Sequence, residues 1–152
     1  MRQATLLFLI QGDNILLAMK KRGFGEGQWN GVGGKPEKGE TLEETAIREC
    51  QEEIEVTPLS LKHMADLKFY FPEADKDWNQ EVKVYICHSW QGDPAETEEM
   101  APKWFKISDI PYEQMWEDDK FWLPKVLAGK FAKGKFHFDE DKKLTRHSVN
   151  AE

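Results

Sequence analysis

The sequence is poor in cysteine and has no long apolar run. Its 152 residues include two cysteines, Cys50 and Cys87, which are too few for a disulfide framework. A reducing, cytoplasmic setting is therefore expected. The longest apolar run, residues 4–10, is interrupted by Thr5 and ends at a turn-rich cluster. It is far shorter than the roughly 20 residues of a membrane-spanning helix, so it predicts a buried strand and no membrane association.

Positive charge is also scarce. The chain has 21 lysines and arginines against 28 acidic residues, a formal net charge of −7. A nonspecific nucleic-acid binder needs a basic footprint, so no nucleic-acid partner is expected. An acidic site can still bind a small phosphate ligand if divalent cations lie between the carboxylates and the phosphates. The length, with no repeat or linker, predicts one domain over residues 1–152.

The pattern of apolar and turn-forming residues predicts strands alternating with two helices. A glycine-rich loop, residues 23–39, precedes a helix that begins at Thr41, because Thr41 and Glu44 form a capping-box pattern. We expect this helix to continue to Ile54. The other predicted elements are strands at residues 4–10, 15–20, 61–71, 82–90 and 104–107, a helix at 118–127 and a hairpin at 131–149. This order predicts an α/β or α+β sandwich.

The helix after the glycine-rich loop concentrates carboxylates beside its apolar stripe. At 100° per residue, Glu49 and Glu53 lie on the margin of that stripe and Glu52 lies further toward solvent. Clustered carboxylates repel one another, and a bound Mg²⁺ or Mn²⁺ would remove the conflict. A solvated acidic face paired with Arg48 would explain the same pattern. Helix geometry alone does not decide between these two interpretations.

The spacing of the residues around this helix is more specific. Gly34 is followed after five residues by Glu40, and after seven more by the run 48–56, Arg-Glu-Cys-Gln-Glu-Glu-Ile-Glu-Val. The segment resembles the Nudix box, G-x5-E-x7-R-E-U-x-E-E-x-G-U, in which U is a bulky aliphatic residue. Every spacing matches, and Cys50 replaces an aliphatic residue as a small hydrophobe. The departure is Glu55 in place of a glycine that ends the helix in a left-handed conformation, where another residue costs about 1–2 kcal/mol.

The resemblance implies a Nudix fold, a mixed β-sheet sandwiched between helices, and an enzyme that attacks a diphosphate with water and Mg²⁺, or Mn²⁺ as a substitute. By position, Glu49, Glu52 and Glu53 become catalytic, metal-binding carboxylates. Arg48 would orient a box glutamate, and the backbone carbonyl of Gly33 would complete the metal site. Glu99 is a further candidate metal ligand, although an ordinary surface acid would explain it almost as well.

The resemblance extends to one branch of the family, the MutT-type hydrolases of oxidised purine nucleoside triphosphates. The resemblance is found in residues 19–25, 29–35, 99–105, 110–119 and 122–124 and in the tail that contains Phe136. It implies that Asp118 and Asp119 read the purine edge as a coupled pair with one carboxyl protonated. The other residues predicted to bind substrate are Asn30 for the purine edge, Trp116, Phe24 and Phe69 for stacking, and Lys20 near the sugar.

Each of these assignments has an ordinary structural alternative. The aromatic residues could be core packing, which is how Trp29, Trp104 and Trp122 are interpreted. Asp118 and Asp119 could cap the second helix. One region, residues 72–80, is longer and more polar than in these relatives, and simple alignment puts Gln80 where they have an apolar residue beside the base.

The predicted reaction is hydrolysis of modified purine nucleoside triphosphates to a monophosphate and pyrophosphate. The candidate substrates are 8-oxo-dGTP first, then 2-hydroxy-dATP and methylated purine triphosphates. The implied role is sanitation of the nucleotide pool by a monomer. The alternatives are a Nudix pyrophosphohydrolase of unmodified nucleotides or dinucleoside polyphosphates, and a noncatalytic nucleotide-sensing Nudix module. The second alternative would be expected to lack box glutamates.

Overall fold

The computed structural model describes residues 1–152, which form ten strands and two α-helices. The elements are β1 (Arg2–Gln11), β2 (Asn14–Lys20), β3 (Trp29–Asn30), α1 (Leu42–Ile54), β4 (Thr57–Pro58), β5 (Lys62–Tyr70), β6 (Gln80–Cys87), β7 (Trp90–Gln91), β8 (Met100–Lys106), α2 (Asp119–Leu127), β9 (Ala132–Phe138) and β10 (Leu144–Ala151). Short 3-10 segments occur at Glu73–Trp78, Ile107–Asp109 and Tyr112–Gln114. Neither helix has the length and apolarity required to cross a membrane.

Eight strands form one mixed sheet in the order β10-β9-β5-β6-β1-β2-β3, with β8 also paired to β2. The pairs β1–β6 and β5–β9 are parallel, and the remaining pairs are antiparallel. The strands β4 and β7 form a separate antiparallel pair. The predicted mixed-sheet α+β class is confirmed.

The two helices cover opposite faces of this sheet. Because side chains alternate along a strand, Leu7 and Leu9 of β1 face one way while Phe8 faces the other. Leu7 and Leu9 belong to one buried cluster together with Ala46, Cys50 and Ile54 of α1. Phe8 belongs to the other, together with Trp122, Leu123 and Val126 of α2. Both helices thus pack against β1, one on each face of the sheet.

Both ends of α1 follow local rules that the sequence shows. At the start, the Thr41 hydroxyl accepts a hydrogen bond from the Glu44 amide at 3.1 Å, and the Glu44 carboxylate accepts one from the Thr41 amide at 3.0 Å. This is the predicted capping box. At the end, Glu55 is left-handed, with φ 61° and ψ 34°. The helix therefore ends with the backbone conformation that the box glycine would adopt, although a glutamate adopts it less readily than glycine does.

Several features differ from the predicted elements. The strand predicted at residues 104–107 is β8, which begins four residues earlier at Met100 and ends at Lys106. The strand predicted over residues 82–90 is broken, because β6 ends at Cys87 and Trp90 belongs to β7. The short strands β3, β4 and β7 are too brief to show an alternating pattern. The polar stretch between β5 and β6 contains the 3-10 segment Glu73–Trp78, in which no residue is buried.

Candidate active site

A cavity of about 240 Å³ lies where β1, β5, β6, α2 and the glycine-rich loop meet. Its lining includes nine of the residues predicted from the sequence: Lys20, Phe24, Asn30, Gly33, Glu53, Phe69, Trp116, Asp118 and Asp119. A larger polar groove of about 430 Å³, beside Leu42 and the exposed side chains of β5, β6 and β9, contains none of them. The fold therefore brings the glutamate helix and the predicted purine-binding residues to one cavity.

Two adjacent glycines let the loop pass close to β1 and α1. A Cβ at Gly33 would lie 1.9 Å from the Thr5 carbonyl oxygen, and one at Gly34 would lie 2.5 Å from the carboxyl carbon of Glu49. Both separations are far below a van der Waals contact, so neither position can carry a Cβ atom unless its neighbour moves. The box glycine at position 34 thus has a steric role beside a predicted metal ligand.

Glu53 is buried at the point where the loop crosses α1, with 7% of its surface exposed. One carboxylate oxygen, Oε1, accepts a hydrogen bond from the Gly33 amide at 2.8 Å. Burial raises the pKa of Glu53 to about 8; the Gly33 amide opposes the shift, and the nearby charge of Glu49 adds to it. A bound cation or a bound proton would stabilise a carboxylate in this environment.

Arg48 holds the other glutamates of the box. Its Nε donates to Glu40 at 2.7 Å, and its Nη1 donates to Glu49 at 2.9 Å and to Glu52 at 3.3 Å. Its Nη2 donates to the backbone carbonyl of Lys35 at 3.0 Å. The guanidinium lowers the pKa of Glu40 to about 2. Arg48 therefore joins the helix to the loop and aligns two of the predicted ligands.

The oxygen atoms around Glu53 fit a hard divalent cation. No three acidic, histidine or cysteine side chains converge closely enough to enclose an ion by themselves. The Gly33 carbonyl accepts no hydrogen bond within the chain, and burial raises the pKa of Glu49. Mg²⁺ is commonly held by one or two carboxylates together with substrate phosphates. This donor set suits that arrangement better than a cage built entirely by the protein.

Glu99 lies near this group but has its own partner. Its Oε1 accepts a hydrogen bond from Arg22 at 2.8 Å, and its charge contributes to the raised pKa of Glu53. The Arg22 guanidinium lowers the pKa of Glu99 itself. Glu99 is thus an ionised carboxylate within electrostatic reach of Glu53, paired with Arg22.

Asp118 and Asp119 form a buried acidic pair, each with 3% of its surface exposed. The Asp118 Oδ2 accepts a hydrogen bond from the Trp122 indole at 2.8 Å. The Asp119 Oδ2 is buried and has no partner within the chain. Asp118 has helical backbone angles and makes no side-chain cap bond, so the helix-capping alternative is wrong for it. An unpartnered buried oxygen on a cavity wall is what a ligand-reading group requires.

No cation balances this acidic pair. Burial raises the pKa of Asp118 to about 6. Burial, followed by the charge of Asp118, raises the pKa of Asp119 well above its usual value. The two carboxyls therefore share a proton at neutral pH. A protonated carboxyl can donate a hydrogen bond as well as accept one.

Aromatic side chains form much of the remaining wall. Phe24 stacks on Trp116 with ring centroids 5.2 Å apart, and Phe69 stacks on the core residue Phe136 at 5.5 Å. Of the tryptophans interpreted as core, Trp29 packs on Phe105 and Trp104 on Trp90. Trp122 is fully buried, yet it also binds Asp118, a role that the sequence did not reveal.

The wall residues that sequence reasoning missed include Gln28, Phe71 and Phe138. Gln28 is notable because its Oε1 is buried and has no partner within the chain. Its position two residues before Asn30, in the loop that carries several predicted residues, was the available signal. Phe138 follows Phe136 by two residues along β9, so alternation puts the two rings on the same face of the sheet.

The comparisons with known proteins identify the family. The sequence model of the NUDIX domain matches residues 1–126. This chain belongs to the Nudix family. Nudix hydrolases are generally divalent-metal-dependent and act on small nucleotides.

Relatives with closely similar sequences cover nearly the whole of this Nudix enzyme. It is 40% identical to the oxidized purine nucleoside triphosphate hydrolase of Danio rerio, over 96% of this chain and 92% of that one. It is 38% identical to the protein of the same name from Mus musculus, over 97% and 94% of the chains. Among solved structures, the MutT protein of Bacillus halodurans shares the fold, with a TM-score of 0.87, 24% identity, and coverage of 99% and 98%.

Proposed function

We propose that this Nudix enzyme hydrolyses oxidised and otherwise modified purine nucleoside triphosphates to a monophosphate and pyrophosphate. The observation that carries the proposal is the buried acidic pair Asp118–Asp119, with its unpartnered oxygen, in the same cavity as Glu53 and Gly33. One nucleotide could therefore contact both the acidic pair, through its base, and Glu53, through its phosphates. The names of the Danio and Mus relatives support the same substrate class.

The acidic pair supplies the recognition of the base. With one proton shared between them, Asp118 and Asp119 present a donor and an acceptor to the purine edge. Asn30 adds an amide nearby, although its Oδ1 accepts a hydrogen bond from the Gly31 amide at 2.8 Å. Stacking on Trp116 or Phe69 would add roughly 1–3 kcal/mol of binding energy. A reader that can change its proton position suits several modified purines.

The glutamate end supplies the chemistry. Glu49, Glu52, Glu53 and the Gly33 carbonyl would hold the cation, which when bound neutralises phosphate charge and lowers the pKa of a coordinated water. The Gly33 amide fixes Glu53 through Oε1 and leaves Oε2 available to a ligand or a water proton. Arg48 keeps Glu49 and Glu52 in place.

The cation is proposed to be Mg²⁺, with Mn²⁺ as a substitute, because every available ligand is an oxygen. We further propose that the enzyme works as a monomer on free nucleotides in the cytoplasm. The net charge of −7 and the two free, buried cysteines support that setting. Glu99 is proposed as an accessory ligand that would have to exchange its bond with Arg22.

A second candidate is a hydrolase that acts equally on unmodified purine triphosphates. Gln80, a polar residue, lines the cavity where the resembling enzymes place an apolar one. A side-chain amide beside the base could bond to an ordinary purine and reduce the preference for a modified one. This candidate uses the same glutamates and differs only in the base site.

The deciding experiment measures kcat/KM for 8-oxo-dGTP and dGTP with Mg²⁺ by pyrophosphate release. We expect a strong preference for 8-oxo-dGTP in the wild type and no activity in Glu53→Gln. Equal turnover of the two nucleotides would favour the second candidate. No release from either nucleotide by the folded wild type would contradict the whole substrate class.

A further inference from the structure

Trp78 is a large aromatic residue that the core does not explain. It is the last residue of the 3-10 segment Glu73–Trp78, and 39% of its surface is exposed. The segment buries none of its residues. Tryptophan usually stabilises a protein through the large apolar area that it buries, and an exposed indole buries less of that area. A role outside folding is therefore worth considering for this side chain.

The backbone beside Trp78 is fixed to the cavity. The Asn79 carbonyl accepts a hydrogen bond from the Arg2 amide at 3.2 Å, and the Asn79 side-chain oxygen accepts one from the Phe71 amide at 2.6 Å. The next residue, Gln80, pairs with Arg2 in the sheet and lines the cavity. These bonds set the position of Trp78 relative to the cavity mouth.

The indole continues the aromatic wall of the cavity outward. Trp78 stacks on Phe24 with ring centroids 4.8 Å apart and planes 16° apart, and Phe24 in turn stacks on Trp116. Phe24 and Trp116 line the cavity, whereas Trp78 lies beyond its lining. The cavity volume of about 240 Å³ is smaller than the roughly 300–1,000 Å³ of typical small-molecule sites. The cavity is therefore too small for a whole nucleoside triphosphate, and part of the ligand would extend past its rim.

Two cations lie over the Trp78 ring at that rim. The Arg2 guanidinium carbon is 5.3 Å from the ring centroid, and the Lys35 ammonium nitrogen is 5.4 Å from it. Both distances are within the range of a cation–π contact. Lys35 follows Gly33 and Gly34 directly, so one of these cations is close in sequence to the loop that contacts Glu53.

These cations have no anionic partner in the protein. Neither Arg2, Lys20 nor Lys35 forms an ion pair, although acidic residues outnumber basic ones in the chain. The charges of Arg2 and Lys20 contribute, after burial, to a lowered pKa of Lys35. Three mutually repelling cations beside a cavity mouth are suited to an anion with several charges.

We propose that Trp78 is a positioning residue that forms the outer wall of the nucleotide site and holds Arg2 and Lys35 against the triphosphate. The inference rests on the proposed function only in that the ligand is a nucleoside triphosphate. Its contribution is to binding of the phosphate chain, and the base is read elsewhere. Removing the indole should therefore weaken triphosphate binding and leave monophosphate binding intact.

The test compares Trp78→Leu and Trp78→Phe with the wild type. Dissociation constants are measured by calorimetry for a non-hydrolysable purine nucleoside triphosphate and for the corresponding monophosphate, together with kcat and KM for the hydrolysable nucleotide. We expect Trp78→Leu to weaken triphosphate binding and raise KM about tenfold, with kcat nearly unchanged. Trp78→Phe should restore most of the affinity because it keeps an aromatic face, and Arg2→Gln should reproduce part of the loss.

Leu59→Ser provides the matched control, because Leu59 is another exposed apolar side chain and lies outside the cavity lining. It should leave both affinities unchanged. Equal weakening of monophosphate and triphosphate binding by Trp78→Leu would overturn the proposal, as would unchanged affinity for both. A wild type that binds triphosphates without preferring modified purines would contradict the proposed function alone, since the Trp78 comparison depends on the phosphates and not on the base.

Discussion

The two acidic clusters of this enzyme use the same functional group in opposite ways. Around α1, the charge of Arg48 bridges Glu40, Glu49 and Glu52, and Glu53 is bonded to a backbone amide. At the start of α2, Asp118 and Asp119 have no cation at all and are almost completely buried. The first cluster presents oxygen atoms to which a metal ion can bind. The second relieves its charge by keeping a proton.

The difference follows from what surrounds each carboxylate. The Arg48 guanidinium holds Glu40 as an anion, whereas burial raises the pKa of Glu53 in the first cluster and of Asp118 and Asp119 in the second. Only the first cluster has a guanidinium and the free Gly33 carbonyl beside it. A cluster of carboxylates therefore does not predict a function until the burial and the partners of its side chains are known. Substitutions that remove the charge but keep the shape should affect the two clusters differently.

The largest effect is expected at the proposed metal-binding cluster. Glu53→Gln removes an anionic ligand while keeping the hydrogen bond to Gly33 in reach, so kcat/KM should fall by roughly a thousandfold or more. Pyrophosphate release measures it. Glu43→Gln, on the exposed side of the same helix, is the control and should retain activity. If the kcat/KM of Glu53→Gln were within about tenfold of the wild-type value, this glutamate would not be essential.

The opposite outcome, a gain in stability, is expected at the acidic pair. In the folded protein the pKa of Asp118 is raised from 3.8 to about 6, so the native state binds more protons than the unfolded state between these values. Stability should therefore fall as the pH rises from about 4 through about 6. Asp118→Asn has no charge to bury and should be more stable than the wild type at pH 8, by up to about 3 kcal/mol.

Urea unfolding of both proteins at pH 5 and pH 8 measures this difference. The advantage of Asp118→Asn should be larger at pH 8 than at pH 5. Asp109→Asn, at an exposed carboxyl, should show no such dependence. An advantage that is the same at both pH values would mean that the native carboxyl is not being held protonated.

A somewhat smaller effect on function is expected at Asp119. Asp119→Asn replaces the unpartnered oxygen by a group that cannot gain or lose a proton, so kcat/KM for 8-oxo-dGTP should fall by about 10- to 100-fold. The loss for dGTP should be smaller if the pair reads the modified edge. Steady-state kinetics with the two nucleotides measure the ratio, and equal losses would remove Asp119 from the discrimination.

The smallest expected effect concerns the backbone after α1. Glu55 has a left-handed conformation that glycine adopts freely, so Glu55→Gly should stabilise the protein by about 1 kcal/mol without changing kcat/KM. Thermal unfolding measures the gain. Glu55→Ala keeps the strain and removes the carboxylate, so it should not be stabilised. If Ala and Gly gave the same gain, charge repulsion and not backbone strain would be the cause.

The sequence predicted the elements that have a local signature. The capping box at Thr41 and Glu44 located the start of α1, and the helical periodicity placed Glu53 toward the buried side and Glu52 toward solvent. The side chain of Glu52 is indeed 58% exposed. The hairpin of β9 and β10 was predicted from the turn at residues 139–141. These features depend on residues within one or two turns of each other.

The features that the sequence did not predict depend on distant contacts. The spacing of Asp118 and Trp122 permits an i,i+4 contact, but nothing local indicates that the pair is buried at the cavity or that Gln28 faces the cavity without a partner, because these facts depend on how α2 and the loop meet the sheet. The position of Trp78 beside Arg2 depends likewise on the pairing of β6 with β1. The Nudix-box pattern predicted the type of reaction, whereas the tertiary structure determines which side chains are in contact.

The parallel pairing of β1 with β6 has a consequence for how the molecule folds. The pairing aligns Arg2 with Gln80 and Leu9 with Cys87, so each contact closes a long stretch of chain. Closing such loops costs chain entropy before the pairing contributes stability, and folds rich in such contacts form slowly. The β1–β6 part of the candidate cavity should therefore form late in refolding, together with the global transition. Activity recovered after dilution from denaturant should return no faster than the change in intrinsic tryptophan fluorescence.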